Sequence, residues 1–106
     1  RLDDFGPAIV AELRGRRTLV VEDVAADPRT RTFVAAHAAI GTRAIVTVPL
    51  VRDGALWATL YLNHRAARRW TAEEVALVEE VAARTWAAVE QARAEAELRE
   101  GERRLR

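Results

Sequence analysis

The sequence predicts an α+β fold in which an antiparallel sheet is flanked by helices and followed by a long C-terminal helix. Two runs rich in β-branched and aromatic residues flank Asp53-Gly54, a dipeptide typical of a hairpin turn. Apolar residues four apart near the start of the chain indicate a helix, and no glycine or proline interrupts residues 71–100. The 106 residues, half of them apolar, are enough for one domain with a modest core.

Charge and cysteine content exclude several classes of function. The 17 basic and 16 acidic residues nearly cancel, so we expect neither a nucleic-acid partner nor a membrane partner. Without cysteine, the sequence has no disulfide, thiolate metal site, catalytic thiol or thioether-linked cofactor. No apolar run approaches the roughly 18 residues that cross a bilayer, and no signal peptide is visible. These features predict a cytoplasmic protein.

The first predicted helix begins near Asp4 as N-cap, has Pro7 in its first turn and ends at Gly15. Its apolar residues recur every fourth position: Phe5, Ile9 and Leu13. A short strand is predicted over residues 18–24, where β-branched residues predominate.

A second helix is predicted to start at Asp27-Pro28, as N-cap and first helical residue, and to stop at Gly41. One side of this helix carries the residues that we expect to face the sheet: Phe33, His37 and Ile40.

The register of the central hairpin decides what each face of the sheet carries. A three-residue loop over residues 52–54 pairs Val51 with Ala55 and keeps the two faces chemically distinct. A two-residue loop places Thr59 opposite Val48 and mixes polar with aliphatic side chains, so we expect the three-residue loop. One face is then wholly apolar: Ala44, Val46, Val48, Leu50, Leu56, Ala58, Leu60 and Leu62. The opposite face is mixed: Ile45, Thr47, Pro49, Trp57, Thr59, Tyr61 and Asn63.

The last predicted helix has the clearest start signal in the sequence. Thr71 as N-cap and Glu74 at N3 form a capping box, and Trp70 and Val75 fit a hydrophobic staple. A broad apolar face predicts packing on the sheet: Val75, Val78, Ala82, Trp86 and Val89. Beyond Ala92 this face narrows to a seam typical of a helix with a partner helix: Ala94, Leu98, Gly101 and Leu105. We therefore predict a domain over 1–91, a helical extension over 92–106, and a homodimer formed through the extension.

Several short motifs, in this order, carry a resemblance to a known family: Asp23-Val24 with Asp27-Pro28, Gly41-Thr42-Arg43-Ala44, Val48-Pro49-Leu50, Asp53-Gly54-Ala55-Leu56-Trp57 and Arg69-Trp70-Thr71. Together they resemble a GAF domain of the kind found in bacterial sensor histidine kinases and phytochrome-like receptors. The resemblance implies a GAF/PAS-like fold and a regulatory, non-catalytic role. It also implies that residues 92–106 form a signalling helix leading to a following PAS or kinase module.

The chain departs from the family at its front. A GAF domain begins with a helix and two strands that this sequence lacks, and the family's last strand, here residues 55–63, pairs with the first. An unpaired apolar edge exposes backbone groups that another strand can bond. We therefore expect this edge to pair with a second copy of the chain, or the chain to lack its front part.

The mixed face of the hairpin and the second helix supply candidate ligand-binding residues. A cavity that is apolar with a few convergent polar groups suits a small ligand. The candidates are Phe33, His37, Ile45, Thr47, Thr59, Tyr61 and Asn63. The alternative is that these side chains fill a second core, with their hydroxyls bonded to the backbone.

In phytochromes the corresponding regions hold histidines that contact a bilin, and the resemblance puts Phe33 and Asn63 at those positions. Because the sequence also has no cysteine, we do not expect a covalent bilin in this segment, and the sequence does not identify a cofactor.

The function predicted from these features is a sensory module of a signal-transduction protein, namely a sensor histidine kinase. It binds a small ligand and relays the signal through a dimeric C-terminal helix. The alternative is a ligand-free module for dimerisation and spacing. No catalytic or metal-binding residue is predicted, because neither histidine has a nucleophile motif nearby and no metal-ligand spacing occurs.

Overall fold

A computed structural model describes residues 6–105 and shows an antiparallel sheet of three strands in the order β1-β2-β3. The elements, in chain order, are α1 (Pro7–Arg14), β1 (Leu19–Val21), a 3₁₀ turn (Arg31–Phe33), α2 (Val34–Ala39), β2 (Ala44–Arg52), β3 (Ala55–His64) and α3 (Ala72–Leu105). The predicted α+β class, with flanking helices and a long C-terminal helix, is confirmed.

Helix α1 starts one residue after Gly6, whose φ of 123° suits glycine, and Pro7 occupies the first turn as predicted. The helix ends where the backbone N–H of Gly15 donates to Ala11 O at 3.0 Å. The predicted N-cap Asp4 and the apolar residue Phe5 lie outside the described residues.

Strand β1 is shorter than the predicted range of residues 18–24, because the chain turns directly after Val21. The carboxylate of Asp23 accepts a hydrogen bond from the backbone N–H of Ala25 at 3.0 Å, and this side-chain turn ends the strand.

The prediction that the second helix starts at Asp27 is wrong. The carboxylate of Asp27 accepts a hydrogen bond from the backbone N–H of Arg29 at 2.8 Å, so it closes a turn instead of capping a helix. A 3₁₀ turn follows, and the six-residue α2 begins only at Val34. As predicted, the helix stops at Gly41. This glycine follows the C-cap residue Ile40 and has a left-handed φ of 71°.

The predicted three-residue hairpin loop is also wrong. Arg52 pairs with Ala55, so the loop consists of Asp53 and Gly54, both at positive φ (52° and 77°) as in a type I′ turn. A bulge at Leu50/Val51 then shifts the register by one residue.

This shift restores the expected separation of faces over most of the hairpin. Thr47 pairs with Tyr61 and Val48 with Leu60, so even-numbered residues share one face and odd-numbered residues the other.

Near the turn, however, the bulge exchanges two side chains between the faces. Leu56, predicted on the apolar face, packs against the cluster of buried residues from α1, β1 and Val24. Trp57, predicted on the mixed face, contacts Arg93 of α3. A bulge adds one residue to one strand and so reverses the side-chain alternation beyond it. Both face assignments are therefore corrected.

Helix α3 begins at the predicted capping box. The backbone N–H of Thr71 donates to the Glu74 carboxylate at 2.9 Å, and the N–H of Glu74 donates to the Thr71 hydroxyl at 3.1 Å. Val78 and Ala82 are buried against the apolar face of β2, and the indole N–H of Trp86 donates to Val51 O at 2.9 Å.

The outer edge of β3 has no neighbouring strand within residues 6–105. Trp57, Tyr61 and Leu62 of this strand are each about half exposed. The described part of the chain contains no helix that is long and apolar enough to span a membrane.

Candidate functional site

A cavity of about 230 Å³ lies between the mixed face of the sheet and the helices α1 and α2. Apolar side chains form most of its wall, and polar groups enter it from β2, β3 and α2. The lining residues are Ile9, Leu13, Leu19, His37, Ile40, Ile45, Thr47, Thr59 and Tyr61.

The strand register brings the hydroxyl-bearing side chains together. Thr47 pairs directly with Tyr61, and Thr59 is two residues from Tyr61 on the same strand, so all three point to one side. Helix α1 forms the opposite wall through Ile9 and Leu13, which are four residues apart and therefore lie on one helix face.

The structure brings together most of the predicted ligand-binding residues but not all of them. The cavity is lined by the predicted residues His37, Ile45, Thr47, Thr59 and Tyr61.

Phe33 and Asn63, by contrast, are outside this lining. The amide of Asn63 donates to the Thr42 hydroxyl at 2.9 Å, and the Phe33 ring lies against Gly6, where a Cβ would be 3.0 Å from it.

Four lining residues were missed by the sequence reasoning: Ile9, Leu13, Leu19 and Ile40. Their apolar spacing was interpreted only as core packing. The signal that could have found them is the same spacing, because a mixed sheet face needs an apolar helix face to cover it.

His37 is the most buried polar residue of the lining, with 2% of its surface exposed. Its Nδ1 lies 3.0 Å from Phe33 O. Because a carbonyl oxygen can only accept, this contact places the proton on Nδ1. No group of three or more metal-ligating side chains occurs among residues 6–105.

Arg29 ties the α1 wall of the cavity to the sheet. Its guanidinium donates to Glu12 of α1 at 2.7 Å, to Val20 O of β1 at 2.8 Å and to Asp27 at 2.7 Å. The hydrogen bond from Arg29 lowers the pKa of Asp27 below its usual value, against the opposing effect of desolvation. This network fixes the distance between α1 and β1.

A larger groove of about 590 Å³ lies along the first half of β3 and is lined by Arg14 and residues 54–59. Its lining comes from one strand and one arginine, which leaves a ligand with few enclosing walls. The smaller cavity is enclosed by two helices and three strands, and it is therefore the better candidate site.

Comparison with known proteins identifies the family. A sequence profile of the GAF domain matches residues 2–89. The chain belongs to the GAF domain family. GAF domains are generally regulatory sensory modules rather than catalysts.

Solved GAF structures share this fold. GAF3 of a Synechocystis protein, solved in its photoproduct state, is 30% identical with a TM-score of 0.70, and the match covers 82% of this chain and 56% of that one. The blue-light absorbing form of the PixJ GAF domain from Thermosynechococcus elongatus is 21% identical with a TM-score of 0.71. This match covers 84% of this chain and 54% of that one.

A third similar structure is a domain assigned to a two-component sensor histidine kinase of Sinorhizobium meliloti 1021. It is 22% identical with a TM-score of 0.69, and the match covers 78% of this chain and 57% of that one.

Two of these three structures are only 21% and 22% identical to this chain. At this identity the likeness shows the fold alone. The chain spans just over half the length of each of these three solved GAF structures. No relative was found among curated protein sequences.

Proposed function

We propose that this GAF domain is a regulatory module of a signal-transduction protein and binds a small ligand in the cavity beneath α1. The observation that carries the proposal is the convergence of Thr47, Thr59, Tyr61 and His37 on a cavity with otherwise apolar walls. A site of this composition gains affinity from its apolar walls and orients the ligand through a few hydrogen bonds.

The cavity volume of about 230 Å³ favours a compact ligand over an extended one. Leucine and isoleucine side chains offer apolar contact, and the threonine and tyrosine hydroxyls can both donate and accept hydrogen bonds. The ligand class that fits is a one-ring or two-ring aromatic compound with one or two polar groups.

A covalently held bilin does not fit these residues. The sequence has no cysteine for the thioether bond, and Asn63 already donates to Thr42 outside the cavity lining. The solved GAF structures therefore support a sensory role for this chain, and this segment has no residue to which a bilin could be attached through a thioether.

In this proposal, helix α3 relays the ligand signal to an output module. The parent protein is a sensor histidine kinase. Leu98 and Leu105 are 65% and 90% exposed, and together with Ala94 and Gly101 they form the proposed seam of a homodimer. The open edge of β3 is a second proposed contact between copies. Ligand binding shifts the output only if two states differ in ligand affinity, typically by about 1–3 kcal/mol of coupling.

A ligand-free module for dimerisation and spacing is the second candidate. It is favoured by the exposed leucines of α3, which serve a partner helix whether or not the cavity is occupied. The two candidates differ in one prediction: the sensory module binds a small ligand in the cavity, and the spacer does not.

Indole is a suitable first probe of the cavity, with binding followed by amide chemical shifts of the ¹⁵N-labelled chain. We expect saturable shifts at His37, Thr47 and Thr59. Affinity should be about fivefold to tenfold weaker in the double variant Thr47→Val, Thr59→Val, because the single N–H of indole then loses one hydrogen bond of about 1 kcal/mol. Thr85→Val, on the exposed side of α3, is the matched control and leaves affinity unchanged. Shifts confined to the β3 groove, or no saturable binding of indole or related one-ring compounds, would favour the spacer.

A further inference from the structure

The tip of the β2–β3 hairpin contacts α3 at the point where the helix leaves the sheet. The guanidinium carbon of Arg93 lies 4.4 Å from the centre of the Trp57 ring, and that of Arg52 lies 5.5 Å from it. A guanidinium over an indole ring is attracted by the negative face of the ring system. Trp57 therefore joins one arginine of the hairpin to one arginine of the helix.

Arg52 also reaches two carboxylates on α3. Its Nε is 3.7 Å from Glu90 and its Nη2 is 3.9 Å from Glu97. Glu90 and Glu97 are seven residues apart, which is about two helical turns, so one arginine contacts the same side of α3 over that length.

The bulge at Leu50/Val51 is what makes these contacts possible. Without the extra residue, Trp57 would share a face with Thr59 and Tyr61 and would point towards α1. With it, Trp57 points towards α3, and Leu56 packs, partly buried, against the cluster of buried residues under α1.

We propose that Arg52, Trp57, Glu90, Arg93 and Glu97 form a releasable clasp that sets the direction in which α3 leaves the domain. When the clasp is closed, residues 90–97 are held against the hairpin tip. When it is open, the helix beyond Trp86 is free of the sheet. The inference goes beyond the proposed ligand site, because it requires no ligand.

The contacts have the properties of a releasable device. Trp57 is 53% exposed and the carboxylate of Glu97 is largely exposed, so water and salt compete for the contacts of these two residues. Ion pairs of this length at a surface are individually weak. The direction of the exposed seam residues Leu98 and Leu105 therefore depends on several weak contacts acting together.

The test is hydrogen–deuterium exchange of residues 92–105 in the full chain. Leu98→Glu and Leu105→Glu are present in every sample, so that protection reports the clasp and not a partner helix. Trp57→Ala and Arg93→Gln are compared with Arg84→Gln, which removes an exposed arginine of the same helix whose partner is Glu80.

We expect exchange of residues 92–105 to rise at least threefold in Trp57→Ala and in Arg93→Gln, with exchange of residues 72–86 unchanged. Salt at about 0.5 M should raise exchange in the parent chain in the same region. Unchanged exchange in both clasp variants overturns the proposal, and so does an equal rise in Arg84→Gln. Should Trp57→Ala unfold the hairpin, Arg93→Gln, which alters only the helix side, decides the outcome.

Discussion

Arg29 shows how one side chain can position a wall of the candidate site. It bonds α1, β1 and the turn at Asp27 at the same time, and its partners Glu12 and Val20 are far from it in sequence. The role of Arg29 therefore cannot be inferred from the local sequence Asp27-Pro28-Arg29, because it depends on these distant partners.

Replacement of Arg29 by methionine should lower the free energy of unfolding by about 2 kcal/mol at neutral pH, because it removes charge-assisted hydrogen bonds from a half-buried site. Urea denaturation followed by circular dichroism measures this loss. The control Arg84→Met removes an exposed arginine and should change stability by less than about 0.5 kcal/mol. A loss no larger than that of the control would show that Arg29 does not tie α1 to the sheet.

The same variant has a pH dependence with a defined sign. Arg29 lowers the pKa of Asp27 in the folded protein, so the folded state binds this proton less tightly than the unfolded state. The stabilisation is therefore complete above the ordinary value of 3.8 and is lost as pH falls through the lower folded value. The stability difference between the parent chain and Arg29→Met should narrow on going from neutral pH to about pH 3. A constant difference would contradict the assigned pair.

At the scale of elements, alternation along the strands was predictable and the turn was not. Burial requires that even-numbered residues of β2 and β3 share a face, and this parity is what the sequence pattern predicts. Two turn geometries give this same alternation of faces. One is a three-residue loop, and the other is a two-residue loop followed by a bulge. The sequence could not separate them. The error fell on Trp57, the unpaired residue of the bulge, and on Leu56 beside it.

The late start of α2 has a similar cause. An aspartate before proline fits both an N-cap and a side-chain turn, and the choice depends on Arg29 and its distant partners. The capping box of α3 was predictable because Thr71 and Glu74 satisfy each other locally.

Two glycine-to-alanine substitutions should change stability in opposite directions. Gly54 has a φ of 77°, and alanine there should cost about 1 kcal/mol, because the left-handed region is unfavourable for residues with a Cβ. Gly101 lies within α3, and a Cβ there meets nothing within 4 Å, so alanine should stabilise the helix by about 0.5–1 kcal/mol. Denaturation measures the effect of alanine at Gly54. Helicity at low protein concentration measures the effect of alanine at Gly101. A neutral Gly54→Ala would contradict the left-handed conformation of Gly54.

At the scale of the whole molecule, α3 determines the shape. The molecule extends 59 Å along its longest axis and 28 and 23 Å along the others, and the helix has 34 residues. At about 1.5 Å per residue the helix alone is about 51 Å long. The helix is continuous through the predicted boundary at residues 91 and 92, and Arg52 contacts Glu97 beyond it. The division into a domain and an extension stays a prediction that only a truncation can test.

Truncation after Ala92 should weaken self-association at least tenfold while the sheet and its covering helices stay folded, because it removes the proposed seam residues Ala94, Leu98, Gly101 and Leu105. Sedimentation equilibrium measures association, and circular dichroism measures folding. Because the truncation also removes Arg93 and Glu97, the full chain with Leu98→Glu and Leu105→Glu serves as the control that keeps the clasp.

Both chains should be monomers at concentrations where the parent chain is a dimer. An equally tight dimer after truncation would put the interface elsewhere on α3. Val78 and Ala82 are buried against the sheet and cannot supply it, whereas Leu77 and Val81 are 60% and 46% exposed and face away from the core. Glutamate at Leu77 would then be the substitution that separates the copies, and the signal would leave the domain along the helix surface above the sheet rather than through its extension.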